Sequence, residues 1–70
     1  MRHNNLAIEM RVKFSTRFLK LSSELGYRKL SEMVGTITEF KPIGKYVLAH
    51  VLWEHDNEAT SHLVTNLVEV

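Results

Sequence analysis

The chain has 70 residues, with nine Lys or Arg and eight Asp or Glu, so its formal net charge at pH 7 is only +1. A chain of this length forms one domain, here residues 1–70, whose core rarely supplies more than about 3–5 kcal/mol of stability. It contains no cysteine, which excludes disulfides, thiol redox chemistry and cysteine-based zinc sites and is typical of a reducing compartment. We therefore expect one small cytoplasmic domain that self-association would stabilise.

No segment has the pattern of a membrane span or an export signal. The longest apolar stretches, YVLA and VLW, are separated by His50 and are far shorter than the roughly 20 residues that span a bilayer. The start, MRHNNLAIEMRVKF, alternates apolar with charged residues and lacks the apolar run of a secretory signal. The sequence therefore predicts no association with a membrane.

Near the start, apolar residues recur at every second position. Charged or polar residues fill the gaps, and this period of two is typical of a half-buried strand. The apolar residues are Leu6, Ile8, Met10, Val12 and Phe14. We predict one strand over 6–14 from this pattern.

Between Ser15 and Met33 the spacing changes to that of a helix. Apolar residues follow one another at i, i+4, i+7 and i+11, namely Phe14, Phe18, Leu21 and Leu25. Gly26 comes where a helix C-cap would lie. The sequence therefore predicts a long early loop that contains one or two helical turns.

A strand and a hairpin connection are predicted in the middle of the chain. The segment GTITEF is rich in threonine and β-branched residues and predicts a strand. Ile37 and Phe40 break its alternation, which indicates a bulge. Residues 41–45 predict the connection, because Pro42 presets one turn residue and Gly44 accepts positive φ.

The clearest strand is YVLAHVLWE, residues 46–54. Its apolar face comprises Val47, Ala49, Val51 and Trp53. Its other face comprises Tyr46, Leu48, His50, Leu52 and Glu54. Because Trp53 shares the apolar face, we predict that its indole packs in the core and does not stack on a base. The predicted neighbours of the indole are Val12, Val47, Val51 and Leu67.

The last third of the chain predicts two further strands, at 59–64 and 68–70, separated by a tight corner at 65–67. A polar turn at 55–58 precedes them. About five short strands joined by short turns, with one long early loop, are typical of a small, strongly bent antiparallel barrel. The predicted fold class is therefore mostly β.

The order of these segments resembles a known class of small domains. VKFSTRFLK, a long polar loop, GTITEF, LAHVLWEHD and HLVTNLVEV are together similar to the SH3-like small barrels found in bacteria and their phages. In those barrels a Gly-Thr-Val-type strand precedes an x-Val-x-Trp-x-Asp strand and a terminal Asn-Leu-Val corner. The resemblance covers most of residues 11–70 and implies a module that binds proteins or nucleic acids.

Histidines and acids that could bind a metal or act in catalysis cluster in the last third of the chain, but their spacing matches no known motif. They are His50, His55 and His62 with the acids Glu54, Asp56 and Glu58. The H-x4-H-x6-H spacing matches no standard zinc site, and the sequence contains no nucleophile elbow, phosphate loop or paired-carboxylate motif. We therefore expect a protein that is not an enzyme and that needs no metal or other cofactor.

Leu48, His50 and Leu52 are the predicted partner-binding residues. If Trp53 and its neighbours fill the core, these three side chains lie on the outer face, where the two leucines form an apolar stripe. Either the early loop or the first strand folds over this stripe, or a partner protein or a second copy covers it. The sequence thus predicts a protein-interaction or accessory module that self-associates or captures a protein partner.

The charges divide unevenly along the chain and suggest an alternative. Positions 1–45 carry all nine basic residues and four acids, a net +5, while positions 46–70 carry four acids and no basic residue. A basic row could follow a phosphate backbone and make the protein a nucleic-acid-binding module. That row is Arg11, Lys13, Arg17 and Lys20. In the other reading, opposite charges meet across a barrel that brings the two halves together.

Overall fold

The computed structural model describes residues 2–3, 5–21, 27–55 and 57–70. In chain order the elements are β1 (Arg2–His3), β2 (Leu6–Ala7), β3 (Arg11–Phe14), α1 (Thr16–Leu21), α2 (Tyr27–Glu32), β4 (Gly35–Ile43), β5 (Tyr46–Trp53), β6 (Ala59–Leu63), a 3₁₀ turn (Val64–Asn66) and β7 (Leu67–Glu69). The chain is mostly β, which confirms the predicted class.

Five strands form one antiparallel sheet in the order β6-β5-β4-β3-β7, and β1 and β2 form a separate small hairpin. β4, β5 and β6 are joined by consecutive hairpins, whereas β7 returns across the sheet to pair with β3. β6 and β7 are therefore the two edges of the sheet. The main sheet has the predicted five strands, the small hairpin of β1 and β2 is additional, and the early loop contains two short helices.

The core lies on one face of this sheet. Ala49, Val51 and Trp53 are buried, while Leu52 between them is exposed, so the predicted phase of β5 is confirmed. Among the described residues, the buried apolar side chains are Leu6, Val12, Phe14, Leu19, Ile37, Ala49, Val51, Trp53, Val64 and Leu67. Val47 is half-buried and packs against this cluster. The indole of Trp53 therefore lies in the predicted core.

The predicted strand over 6–14 is wrong, because the chain bends in its middle. β2 ends at Ala7 and β3 begins at Arg11, and Ile8 is exposed. Glu9 has a left-handed backbone, with φ of 73°. Its N–H donates to the carbonyl of Ile37 at 2.7 Å, while the Ile37 N–H donates to the carbonyl of Met10 at 3.0 Å. These two bonds to β4 hold the bend and break the alternation.

The early loop contains helical turns as predicted, but the predicted set of buried helix residues is wrong. In α1, Leu19 is buried and Leu21 is 79% exposed. The predicted spacing was counted from Phe14, which belongs to β3, whereas the helix begins after Ser15. The Ser15 hydroxyl oxygen accepts a hydrogen bond from the Phe18 N–H at 3.1 Å, as a helix N-cap does. The predicted positions of Leu25 and Gly26 lie outside the described residues.

The turn between β4 and β5 is shorter than predicted. Pro42 belongs to β4 and lies opposite Val47, so the connection is the pair Gly44-Lys45 and not residues 41–45. Gly44 has the positive φ, 59°, that the prediction required. A register shift between Ile37 and Glu39 confirms the bulge in β4. The long hairpin therefore extends to Ile43 and Tyr46, which lie opposite each other at its end.

The C-terminal strands differ slightly from the predicted ranges. β6 ends at Leu63 rather than at residue 64, because Val64 begins the 3₁₀ turn. β7 begins at Leu67, whose side chain is buried opposite Phe14. The tight corner is therefore a helical turn that directs the chain from one edge of the sheet to the other.

At Gly35, in β4, the core leaves no room for a side chain. A Cβ atom there would lie 2.5 Å from Val51 Cγ1 and 2.9 Å from both the Leu52 carbonyl oxygen and Trp53 Cε3. Two of these atoms belong to buried side chains and one to the backbone, so they cannot easily move away. Gly35 thus permits the close approach of β4 to the indole.

We expect Gly35→Ala to lower the free energy of unfolding by about 3 kcal/mol, the upper part of the range for overpacked cores. Gly44→Asn is the control, since a Cβ at Gly44 meets no atom within 4 Å and Asn tolerates the left-handed conformation. It should cost less than about 1 kcal/mol. Urea denaturation followed by Trp53 fluorescence measures both, and equal losses would contradict the packing argument.

Candidate interaction surface

The predicted partner-binding residues lie together on the outer face of β5. Leu48 lies opposite Leu63 of β6, His50 opposite Ser61, and Leu52 opposite Ala59. The alternate positions of β6, Thr60 and His62, lie opposite the buried Val51 and Ala49 and so belong to the inner face. We call the six residues Leu48, His50, Leu52, Ala59, Ser61 and Leu63 the outer patch.

At one end of the outer patch an apolar depression of about 200 Å³ is lined by Ile43, Tyr46, Leu48 and Leu63. Ile43 is 51% exposed and Tyr46 is 56% exposed. Both lie at the end of the long hairpin because β4 continues through Pro42. The sequence placed Tyr46 on the outer face of its strand, but Ile43 and Leu63 were missed, because their place depends on the hairpin length and the β5–β6 register.

At the other end Leu52 is 40% exposed, so this part of the stripe is open. Between the two ends His50 is half-buried, and its Nδ1 lies 3.1 Å from the Ser61 hydroxyl oxygen. The Thr38 hydroxyl donates to the His50 carbonyl at 3.2 Å. The outer patch is therefore apolar at both ends, with a polar pair in its centre.

On the inner face, the edge of the sheet carries a small polar network against an aromatic cluster. The Trp53 Nε1–H donates to the Thr60 hydroxyl oxygen at 2.7 Å, and that oxygen lies 2.8 Å from His62 Nε2. The His62 ring lies edge-on to Phe14, with centroids 4.9 Å apart. Phe14 also stacks on Phe18 at 4.7 Å. The His62 ring therefore packs against the aromatic cluster at the edge of the core.

This burial lowers the pKa of His62, because desolvation disfavours the imidazolium. The hydrogen bonds agree, since Thr60 already accepts from Trp53 and its own proton can be donated to a neutral imidazole nitrogen. The sequence left the place of His62 open. Its phase opposite Ala49 depends on the β5–β6 register.

We expect stability to fall as the pH is lowered from 8 towards 5, in part through His62. Its pKa in the folded state lies below the unfolded value of about 6.5, so the unfolded chain binds the proton more readily and acid favours unfolding. His62→Phe should reduce this pH dependence. Urea unfolding at several pH values is the measurement, and an unchanged slope in His62→Phe would contradict it.

The histidines do not converge on a metal. His50 belongs to the outer face and His62 to the inner face of adjacent strands. In the ranges that the structure describes, no three His, Asp or Glu side chains are grouped as a metal site would require. Asp56, one of the acids considered from the sequence, lies outside those ranges.

The basic row is divided between two elements. Arg11 and Lys13 lie on β3, Arg17 and Lys20 lie on α1, and all four side chains are exposed. Arg11 is engaged by Glu54, which accepts hydrogen bonds from Nε at 3.0 Å and from Nη2 at 3.3 Å. This ion pair and its hydrogen bond raise the pKa of Arg11. At this point the basic and acidic halves of the chain meet.

No protein-family model, curated protein or solved structure matches this chain. Among the described residues, no helix is long and apolar enough to cross a membrane. The interpretation of the outer patch therefore follows from its own geometry.

Proposed function

We propose that the protein is a non-enzymatic interaction module that associates with a second copy of itself through the outer patch. The observation that carries this proposal is the apolar depression at the end of the hairpin. Its lining residues Ile43 and Tyr46 are more than half exposed, and Leu52 extends the apolar surface to the other end of β5. Apolar side chains that converge on one exposed face are typical of interaction surfaces.

The size of the domain supports self-association. A chain of 70 residues has a small core, and covering exposed apolar side chains on association adds about 25 cal/mol per Å² of apolar surface. The six residues of the patch include no Asp, Glu, Lys or Arg, and the nearest charges on this face, Glu39 and Lys41, lie at its β4 border opposite His50 and Leu48. Two copies can therefore cover the six residues while these charges stay at the margin of the contact. A second copy presents the same apolar side chains and is therefore a suitable partner for the outer patch.

We also propose that the fold is an SH3-like small barrel. The strand order, with β7 returning to pair with β3 after one 3₁₀ turn, supports this fold. The bulge between Ile37 and Glu39 supports it as well, because bulges bend a strand and allow a sheet to curl. Proteins with such barrels commonly act as binding modules, in agreement with the resemblance of the sequence segments.

The alternative, nucleic-acid binding, is weakened by the Arg11–Glu54 pair. Of the basic row it leaves Lys13, Arg17 and Lys20 for phosphate contacts, so the slope of log affinity against log salt would be about −2.7 on duplex DNA. Association through the outer patch should instead vary little with salt. Sedimentation at low and high salt, with and without a generic oligonucleotide, separates the two functions.

We expect Leu48→Glu and Leu52→Glu each to weaken self-association by about tenfold or more, because a charge must then be desolvated in the interface. Both variants should stay folded, since Leu52 is exposed and Leu48 lies beside Lys41. Sedimentation equilibrium measures the association, and circular dichroism checks the fold.

Val68→Glu is the matched control. Val68 is 40% exposed, as Leu52 is, and it also lies on a strand, but on β7 at the opposite edge of the sheet. It should leave association unchanged. A monomeric wild type, or equal effects of Leu52→Glu and Val68→Glu, would refute the proposed surface.

A further inference from the structure

The edge strand β6 lacks the features that normally prevent strand pairing. Its sequence, ATSHL, contains no charge and no proline, and Ala59, Thr60 and Ser61 are exposed. Natural edges are usually protected by charged residues, proline, bulges or short length. The opposite edge follows that rule, since β7 has three residues and includes Glu69. β6 is therefore the edge at which another strand can add.

The hydrogen-bonding groups that β6 presents at this edge follow from the ladder. The Trp53 N–H donates to the Glu58 carbonyl at 2.8 Å. Because hydrogen-bonded pairs alternate in an antiparallel ladder, Thr60 and His62 also direct their backbone groups towards β5. Ala59, Ser61 and Leu63 then direct theirs outward. The edge offers three N–H groups and three carbonyls in register.

We infer that the protein dimerises edge to edge, with β6 of each copy pairing antiparallel around a two-fold axis at Ser61. This inference rests on the proposed function and specifies its geometry. In this register Ser61 lies opposite Ser61 of the second copy, and Ala59 lies opposite Leu63 of the second copy. All three outward residues find outward partners, so the strands can form six backbone hydrogen bonds over their whole length.

The same register aligns the outer patches. Within one copy, Leu48 neighbours Leu63, and Leu52 neighbours Ala59. Across the axis, Leu63 meets Ala59 of the second copy, whose small side chain leaves room towards Leu52. Each half of the dimer thus contains a continuous apolar row across four strands. The two His50–Ser61 pairs lie together beside the axis.

A different dimer could use the same patch without the edge. Two outer faces could stack on each other, as the sheets of a sandwich do. That arrangement would bury Leu48 and Leu52 directly, whereas in the edge-paired dimer they lie on β5, one strand away from the joined edge. Only the edge-paired dimer uses the outward backbone N–H of Ser61, so removing that N–H separates the two geometries.

The test uses a charge swap at Ser61. Ser61→Lys and Ser61→Glu each place two like charges at the axis, so each variant alone should dissociate about tenfold more readily than the wild type. An equimolar mixture should restore association to the wild-type level, because Lys then lies opposite Glu. Thr65→Lys and Thr65→Glu, at an exposed position in the 3₁₀ turn, are the controls and should show neither effect. Sedimentation velocity over micromolar to millimolar concentrations gives the dissociation constants.

A backbone variant provides a second measurement. Ser61→Pro removes an N–H that faces outward, and proline is tolerated at sheet edges. It should abolish dimerisation while circular dichroism still shows the folded monomer. Thr60→Pro removes an N–H that faces β5 and should destabilise the monomer itself. The reverse pattern would show that the outward groups are misassigned and would overturn the inference.

The outcomes separate the inference from the function on which it rests. If the wild type dimerises and Leu48→Glu weakens the dimer, but Ser61→Pro dimerises as the wild type does, the faces stack and the edge pairing is wrong. If the wild type stays monomeric at millimolar concentration, self-association itself is refuted. Restoration only in the Lys and Glu mixture supports the two-fold axis at Ser61.

Discussion

The packing of the Trp53 indole is the constraint on which the rest of the sheet depends. The ring belongs to β5, approaches the backbone of β4 where Gly35 leaves space, and lies 4.8 Å from the Phe14 ring of β3. Its Nε1–H is satisfied by Thr60 of β6. One side chain therefore fixes the relative positions of four adjacent strands, and burial of its polar group costs little because it is hydrogen-bonded.

The same constraint determines which face of β5 points away from the core. Because side chains alternate along a strand, turning Trp53, Val51 and Ala49 inward turns Leu52, His50 and Leu48 outward. A slip of one residue would bury His50 and expose the indole, so the register is strongly specified. The β5 residues of the outer patch are thus the alternate residues of the strand that fills the core, and they point outward because the others point inward.

The edge strand β6 contributes residues to both faces of the sheet. β6 places Thr60 and His62 on the rim of the core and Ala59, Ser61 and Leu63 on the outer patch. The strand is neutral on both faces, since the pKa of His62 is lowered by burial. Thr60 and His62 are committed to the core rim, and none of the three outward residues carries the charge that protects other edges. The proposed pairing with a second copy would use this neutral edge.

The sequence by itself determined the class of the fold and the phase of its central strand. Alternation in YVLAHVLWE placed Trp53 inside and Leu48 and Leu52 outside, because local periodicity directly reflects the direction of side chains on a strand. The bulge in β4 was also predicted, because it breaks the alternation of side chains in that segment. These are local properties that each segment carries without its neighbours.

Only the tertiary structure decided how segments distant in the chain meet. The bend at Glu9 depends on hydrogen bonds to Ile37, and the ion pair of Arg11 depends on Glu54, 43 positions away. The depression at Ile43 and Leu63 depends on the registers of two hairpins. No periodicity encodes such pairings, because they arise when strands align and the core selects one register from several.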